Sequence, residues 1–353
     1  MKSNESLRTL QAGRAFAACS VVLFHTGGVI ALPKYFGVDP APWAHAGDSG
    51  VPFFFVLSGL IMMLAHGGDG MSRQSALLFC WRRFRRIYPV LWAALLVSIV
   101  GNQALAGGQW SLPAWEIVKA FLIVPSRPEP LLAVEWTLRH EVIFYLLFAI
   151  LLANARLGIA LMGVFFTAAA IGVFVTYPFP LGFWTSPYNL LFLMGILAGG
   201  LLLRLTPSLR WSAAATIVGA GIFLAGWIGA VVEAPFMKAP GSVLVFGVGA
   251  SLIMIGLVGL ERAGRVRTPD VLVVLGDASY SIYLIHFLAA SALTKVAVRV
   301  DDIVSLSPVL WFIIVAGGSV AAGMVFYYLV ERPLLARLPP RPTLRPVAAP
   351  AQI

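Results

Sequence analysis

Apolar runs long enough to cross a bilayer recur from one end of the 353-residue chain to the other. About 20 apolar residues in a helix span the ~30 Å hydrocarbon layer. By that measure the runs fall at 10–30, 50–66, 87–106, 136–153, 157–176, 188–203, 212–232, 241–260, 277–296 and 307–330. In lipid a helix satisfies its own backbone polar groups, so each run reads as helix. The expected fold is all-α: a polytopic integral membrane protein of about ten transmembrane helices around a polar interior. Only 11% of the residues are charged and 59% are hydrophobic, against about 25% charged in soluble domains. A mean hydropathy of +0.89 agrees. Residues 1–335 are read as one transmembrane domain. Residues 336–353, rich in Pro and Arg, are read as a disordered cytoplasmic tail.

The net charge of +10 points to a membrane surface rather than to nucleic acid, because the basic residues sit in short loops between apolar runs. With the N-terminus inside, the inner segments hold Lys2, Arg8, Arg73, Arg82, Arg83, Arg85, Arg86, Arg156, Arg204, Arg210, Arg262, Arg265, Arg267, Arg332, Arg337, Arg341 and Arg345. The outer segments hold only Lys34, Lys119, Arg127, Arg139, Lys238, Lys295 and Arg299. This bias predicts both termini in the cytoplasm. The location expected is a bacterial inner (plasma) membrane, with the lipid bilayer as constant partner. Phe16-Ala17-Ala18-Cys19 loosely resembles a lipoprotein cleavage box, but Arg14 interrupts the apolar region where a signal peptide is continuous, so an uncleaved first span is expected.

The longest outer loop, 107–135, carries Trp110, Trp115 and prolines at 125, 128 and 130, and reads as an interfacial segment. Gly247-Val-Gly249 lies inside an apolar span and reads as close helix packing rather than as a nucleotide fingerprint. Two cysteines, Cys19 and Cys80, make neither a disulfide framework nor a metal site. No metal and no permanently held cofactor is expected.

Within the first run, Arg14 and His25 stand eleven positions apart. On an α-helix that is within ~20° of a whole number of turns, so both side chains share a face, roughly 16 Å apart. Ionisable groups at membrane depth are costly and are functional candidates by default. The alternative is that Arg14 snorkels to the interface and His25 bonds a neighbouring helix.

Four other places depart from lipid-like composition. The segment Trp81–Pro89 holds four arginines in five residues; it is either a helix anchor or a phosphate clamp in which Arg83 and Arg86 share a face. In Glu135–Tyr145, Glu141 and Tyr145 stack one turn apart, and Glu141 either charge-stabilises a histidine or serves as a structural ion-pair partner. In Gly276–His286, the residues Ser279, Tyr283 and His286 follow i, i+4, i+7 spacing and form a stripe that must face protein or water. Gly47–Gly59 is an apolar run with small residues at both ends, which permits close backbone approach or a passage for substrate.

Together these places resemble the acyltransferase-3 family of integral-membrane O-acyltransferases, which includes acetyltransferases of exopolysaccharides, O-antigens and Nod factors. The resemblance covers nearly the whole chain. It rests on the Arg14–His25 spacing, GVPFFFVLSG (50–59), RRFRRIYP (82–89), EWTLRHEVIFY (135–145) and LGDASYSIYLIH (275–286), and is nearest to the exopolysaccharide-production branch. One departure is the polar pair Arg139-His140 ahead of Glu141, where less charge is expected.

The resemblance implies a cytoplasmic donor, acetyl-CoA or another acyl-CoA, and a glycan or lipid-linked sugar acceptor at the outer side. Arg14, Arg83 and Arg86 would then hold the donor's phosphates. His25 would act as general base or transient acyl carrier, and Glu141 would orient it as the third member of a triad orients its histidine. Trp136, Tyr145, Ser279, Tyr283 and His286 are the candidate substrate contacts. The rival class is a transporter or flippase of a glycolipid or organic anion; no internal repeat supports it.

Overall fold

The computed structural model describes residues 7–68, 70–105, 113–126 and 131–339. In chain order the helices are α1 (Arg8–Ile30), α2 (Gly50–His66), α3 (Arg73–Leu105), α4 (Ala114–Leu122), α5 (Glu135–Ala153), α6 (Ala155–Ile171), α7 (Leu181–Trp184), α8 (Tyr188–Arg204), α9 (Leu209–Val231), α10 (Val243–Arg262), α11 (Asp270–Asp277), α12 (Ser279–Val304), α13 (Pro308–Phe326) and α14 (Arg332–Arg337). A 3₁₀ segment, Pro42–Ser49, leads into α2, and a π-helical turn, Tyr327–Glu331, joins α13 to α14.

Among the described residues, nine helical stretches are long and apolar enough to cross a membrane. The expected span at 157–176 is the 17-residue helix α6, at the short end of the spanning range. It stops at its C-cap Gly172, where the chain passes so close to Thr185 that a Cβ would fall 1.5 Å from the Thr185 carbonyl oxygen. The expected span at 87–106 is longer than its apolar run: α3 begins at Arg73 and carries the arginine cluster on its third and fourth turns. The last part of the outer loop also departs from expectation. Leu131, Leu132 and Val134 are buried and lead into α5 from inside the bundle, while Trp115 on α4 is exposed. Trp110, Pro128, Pro130 and the tail beyond Pro339 lie outside the described residues.

Helix α1 is the hub. It packs against α2, α10, α11, α12, α13 and the 3₁₀ segment, and its Ala15, Ala17 and Ala18 have at most 1% exposure. Small residues on that face let the neighbours close in, which is how helices associate where lipid removes the hydrophobic drive. The same device joins α2 to α8. A Cβ on Gly59 would sit 2.1 Å from the Phe192 carbonyl oxygen, and one on Gly195 would sit 2.1 Å from that of Val56. Gly249 of α10 meets α9 in the same way, a Cβ there falling 2.9 Å from Phe223 N. Helices α6 and α9 instead turn apolar side chains outward, Val164 and Ile217 among them, as a lipid-facing surface requires.

Candidate active site

The polar stripe on α12 finds a partner at every step. Ser279 Oγ accepts from Arg14 Nε of α1 at 3.1 Å. The hydroxyls of Tyr283 and Thr137 of α5 are 2.9 Å apart. His286 Nε2 lies 3.0 Å from His25 Nδ1 of α1. Ser279, Tyr283 and His286 are all buried. The stripe therefore bonds α12 to α1 and α5 along the interior, as the i, i+4, i+7 spacing predicts.

The end of α11 sets the position of Arg14. Gly276 lies so close to α1 that a Cβ there would fall 2.1 Å from the Gln11 carbonyl oxygen. Its own carbonyl thereby reaches Arg14 Nε at 3.2 Å. Among the described residues, both hydrogen bonds of this guanidinium are made by Nε, which leaves the terminal nitrogens for the space beside it.

That space is a cavity of about 310 Å³, lined by Arg14, Arg83, Arg86, Glu141, Tyr145, Ser279 and Tyr283 among others. Arg83 and Arg86 share a face of α3, as their spacing predicts. Arg86 stands at the exposed rim. Arg83 is stacked inward, its guanidinium 5.5 Å from the Phe79 ring centroid and 5.4 Å from that of Tyr145. With three arginines against the single lining carboxylate of Glu141, the cavity favours an anion.

Glu141 does not meet His25. It accepts from Ser58 Oγ of α2 at 2.6 Å and from the Tyr145 hydroxyl. The side chain bonded to His25 is His286, so the expected Glu141–His25 pairing is not made. The reason lies in how α5 is turned: its Glu141 and Tyr145 face the cavity beside Arg14, whereas the histidine pair lies beyond Tyr283. The Tyr283 and His286 ring centroids are 6.0 Å apart, and Phe54 packs on Tyr283 at 5.6 Å. Phe54 and Tyr283 thus form the wall between cavity and histidines. His25 is half-buried, while His286 has 0% exposure.

Trp136 stands apart from the cavity, its ring 5.2 Å from that of Tyr188 and 6.0 Å from that of His140. The Arg139-His140 pair has internal partners. Arg139 donates to Glu135 at 2.9 Å and to the Ser126 carbonyl at 3.0 Å. His140 Nδ1 lies 2.8 Å from Asn189 Oδ1.

Three contributors went unnoticed in the sequence. Ser58 is a single hydroxyl within an apolar helix and Thr137 a single hydroxyl among the charged residues that open α5; such residues most often mark simple bonding to the backbone. Glu331 accepts from Ser281 Oγ at 2.5 Å and is 5% exposed. A lone carboxylate at the end of the last apolar run was the signal for it.

An arginine-lined cavity on one side of an aromatic wall and a hydrogen-bonded imidazole on the other are the parts an integral-membrane group-transfer enzyme needs. The chain is a member of the acyltransferase-3 family: the family model described as an acyltransferase domain matches residues 7–328. It is 32% identical over 303 residues to the exopolysaccharide production protein ExoZ of Rhizobium meliloti (strain 1021), covering 82% of this chain and 90% of that protein. It is also 28% identical over 324 residues to the acyltransferase MdmB of Streptomyces mycarofaciens, covering 80% of this chain and 78% of that protein. No solved structure matches the chain.

Proposed function

We propose that this acyltransferase moves an acyl group, acetyl in the simplest case, from cytoplasmic acyl-CoA to a hydroxyl of an exopolysaccharide or related cell-envelope glycan. The protein would sit in a bacterial inner membrane with both termini in the cytoplasm. The observation that carries this reading is the convergence of Arg14 of α1 with Arg83 and Arg86 of α3 on one cavity, Arg14 sharing its α1 face with His25. The basic end of the bundle is the cytoplasmic end on the charge argument, which is where a CoA donor is available. A cavity of about 310 Å³ is too small for a whole acyl-CoA. It suits the acyl end and the pantetheine arm, with the nucleotide held at the rim by Arg86. The roughly 16 Å between Arg14 and His25 along the helix is a distance that an extended pantetheine arm spans. The ExoZ relative is named for exopolysaccharide production, and this favours a glycan as acceptor.

In the proposed step the acceptor O–H gives its proton to His25 as its oxygen bonds to the thioester carbonyl carbon. The C–S bond then breaks, and the proton passes from His25 to the CoA sulfur. The products are an ester and free CoA. Arg14, Arg83 and Arg86 hold the donor, while Glu141 holds Ser58 and Tyr145 in the cavity wall and offsets part of the arginine charge.

The test is glycan mass spectrometry of wild-type cells against a deletion strain, looking for a lost acyl mass, paired with acyl-CoA-dependent transfer by the purified protein in vesicles. His25→Asn takes up no proton near neutral pH and should cost 10²- to 10⁴-fold in transfer with insertion unchanged. An unaltered glycan in the deletion strain, or a His25→Asn variant that transfers at the normal rate, would sink the reading. Reporter fusions at Lys34 and Arg299 should report the outside, and fusions at Arg73 and Arg265 the inside. An external Arg73 would remove the donor mouth from the cytoplasm.

A further inference from the structure

The two histidines are not equivalent, and their hydrogen bonds say which nitrogen carries each proton. His286 Nδ1 faces two backbone carbonyl oxygens, 2.8 Å from that of Tyr283 and 3.1 Å from that of Ile282. A carbonyl oxygen only accepts, so His286 Nδ1 bears the hydrogen. In a neutral imidazole the other nitrogen is then bare. His286 Nε2 is therefore an acceptor, and the nitrogen 3.0 Å from it, His25 Nδ1, is the donor. The chain of bonds ends with the lone pair on His25 Nε2.

We propose that His286 is a positioning residue for acyl transfer: it holds His25 in the Nδ1–H tautomer and leaves Nε2 free to take the acceptor's proton. The proposal rests on the reading of His25 as general base. It gives the supporting role, which the sequence assigned to Glu141, to a second histidine instead. Three observations agree. His286 has 0% exposure while His25 is half-buried, so substrate reaches only the latter. No Asp or Glu among the described residues hydrogen-bonds either ring. The rings of Phe24 and Phe287, at 4.9 Å and 5.3 Å, flank His25 and restrict its turning.

The arrangement also fixes where the proton goes. When His25 Nε2 takes the hydroxyl proton, Nδ1–H becomes a charge-assisted donor and its bond to His286 strengthens. His286 has no onward route, because its Nδ1–H already points at carbonyl oxygens that cannot release a proton. The proton therefore stays on His25 until the CoA sulfur collects it, and each turnover returns the pair to its starting tautomers.

The test uses the full-length protein in vesicles with acetyl-CoA and the glycan as substrates. A Gln side chain places its amide oxygen near the position of a histidine Nε2; Asn falls one atom short, and Leu offers no acceptor. His286→Leu and His286→Asn should lower kcat by about 10- to 100-fold with the KM for acetyl-CoA unchanged. His286→Gln should recover most of the loss. A His286→Leu variant with wild-type kcat, or a Gln variant no better than Leu, would overturn the assignment. Solid-state ¹⁵N NMR of the histidine-labelled wild type reads the same point without any variant that could misfold. His25 should show a protonated Nδ1 and a bare Nε2, the less favoured tautomer of free histidine; the reverse pattern would end the proposal. If His25→Asn is inactive while His286→Leu is fully active, only the positioning role fails. If His25→Asn is active, the underlying base assignment has failed.

Discussion

Arg14 of α1 donates from Nε to Ser279 Oγ of α12 at 3.1 Å, across 265 positions of sequence. The bond ties the start of the polar stripe to the cavity and spends only one of the guanidinium's nitrogens. Lysine at this position carries its three N–H donors on one nitrogen and lacks the fork that reaches Ser279 and a second group at once. A charge-assisted hydrogen bond contributes ~1.5–3 kcal/mol. Arg14→Lys should therefore raise the KM for acyl-CoA by about 10- to 100-fold. Steady-state kinetics in vesicles checks this, and an unchanged KM would remove Arg14 from donor binding.

Arg83 and Arg86 separate under the same substitution. Arg86 is exposed at the rim, so Arg86→Lys should raise the donor KM and leave thermal stability unchanged. Arg83 is stacked over Phe79 and Tyr145. A lysine there loses the planar stacking as well as the fork, so Arg83→Lys should raise KM and also lower the melting temperature. Reduced insertion with a normal KM in both variants would return the cluster to a purely topological role.

Glu141 bonds to Ser58 and Tyr145 rather than to a histidine, and its variants should behave accordingly. Glu141→Gln keeps one acceptor for the two hydroxyls and removes the charge that offsets the arginines. The expected outcome is a changed KM for acyl-CoA with a smaller loss of kcat than His25→Asn. A loss of kcat equal to that of His25→Asn, at constant KM, would show that Glu141 acts on the proton after all.

The Glu135–Arg139 pair is a structural test. Its side chains are 0% and 5% exposed, at 2.9 Å, where α5 begins inside the bundle. Removing one partner of a buried pair strands the other and typically costs about 3–5 kcal/mol. Arg139→Leu should thus lower the melting temperature sharply, whereas Glu135→Leu combined with Arg139→Leu should be milder than either alone. A stable Arg139→Leu protein with altered acceptor preference would instead make the arginine a substrate contact.

How much of this could be read from the chain depends on the kind of information each feature needs. The stripe Ser279, Tyr283, His286 and the shared face of Arg83 and Arg86 follow from helical period alone, and both stand in the structure. The partner of each residue does not follow, because it depends on how one helix is rotated against another far away in sequence. That is why helical period alone does not disclose that Glu141 accepts from Ser58 and Tyr145. The start of α3 was hidden for a different reason: arginine is polar on a hydropathy scale yet a good helix former, so the helix runs back to Arg73 through a segment that hydropathy assigns to a loop. Ser58 carries too little polarity to stand out within its apolar run, and Thr137 is overshadowed by the charged residues around it at the start of α5.

The wall between cavity and histidines leads to the last prediction. Phe54 and Tyr283, with ring centroids 5.6 Å apart, stand where the acyl end would lie in the proposed transfer, before it meets His25. Tyr283 is held by Thr137 at 2.9 Å, whereas Phe54 is held by packing alone and is the easier side to open. Phe54→Ala enlarges the acyl end of the cavity without removing a polar contact. In an apolar pocket each methylene changes discrimination by about 1–3 kcal/mol. The ratio of kcat/KM for hexanoyl-CoA to that for acetyl-CoA should therefore rise by about tenfold or more. Competition between the two donors, with the esters separated by mass, measures that ratio directly. A ratio equal to wild type, in a variant that still transfers acetyl groups, would place the acyl end elsewhere and leave Phe54 as ordinary packing.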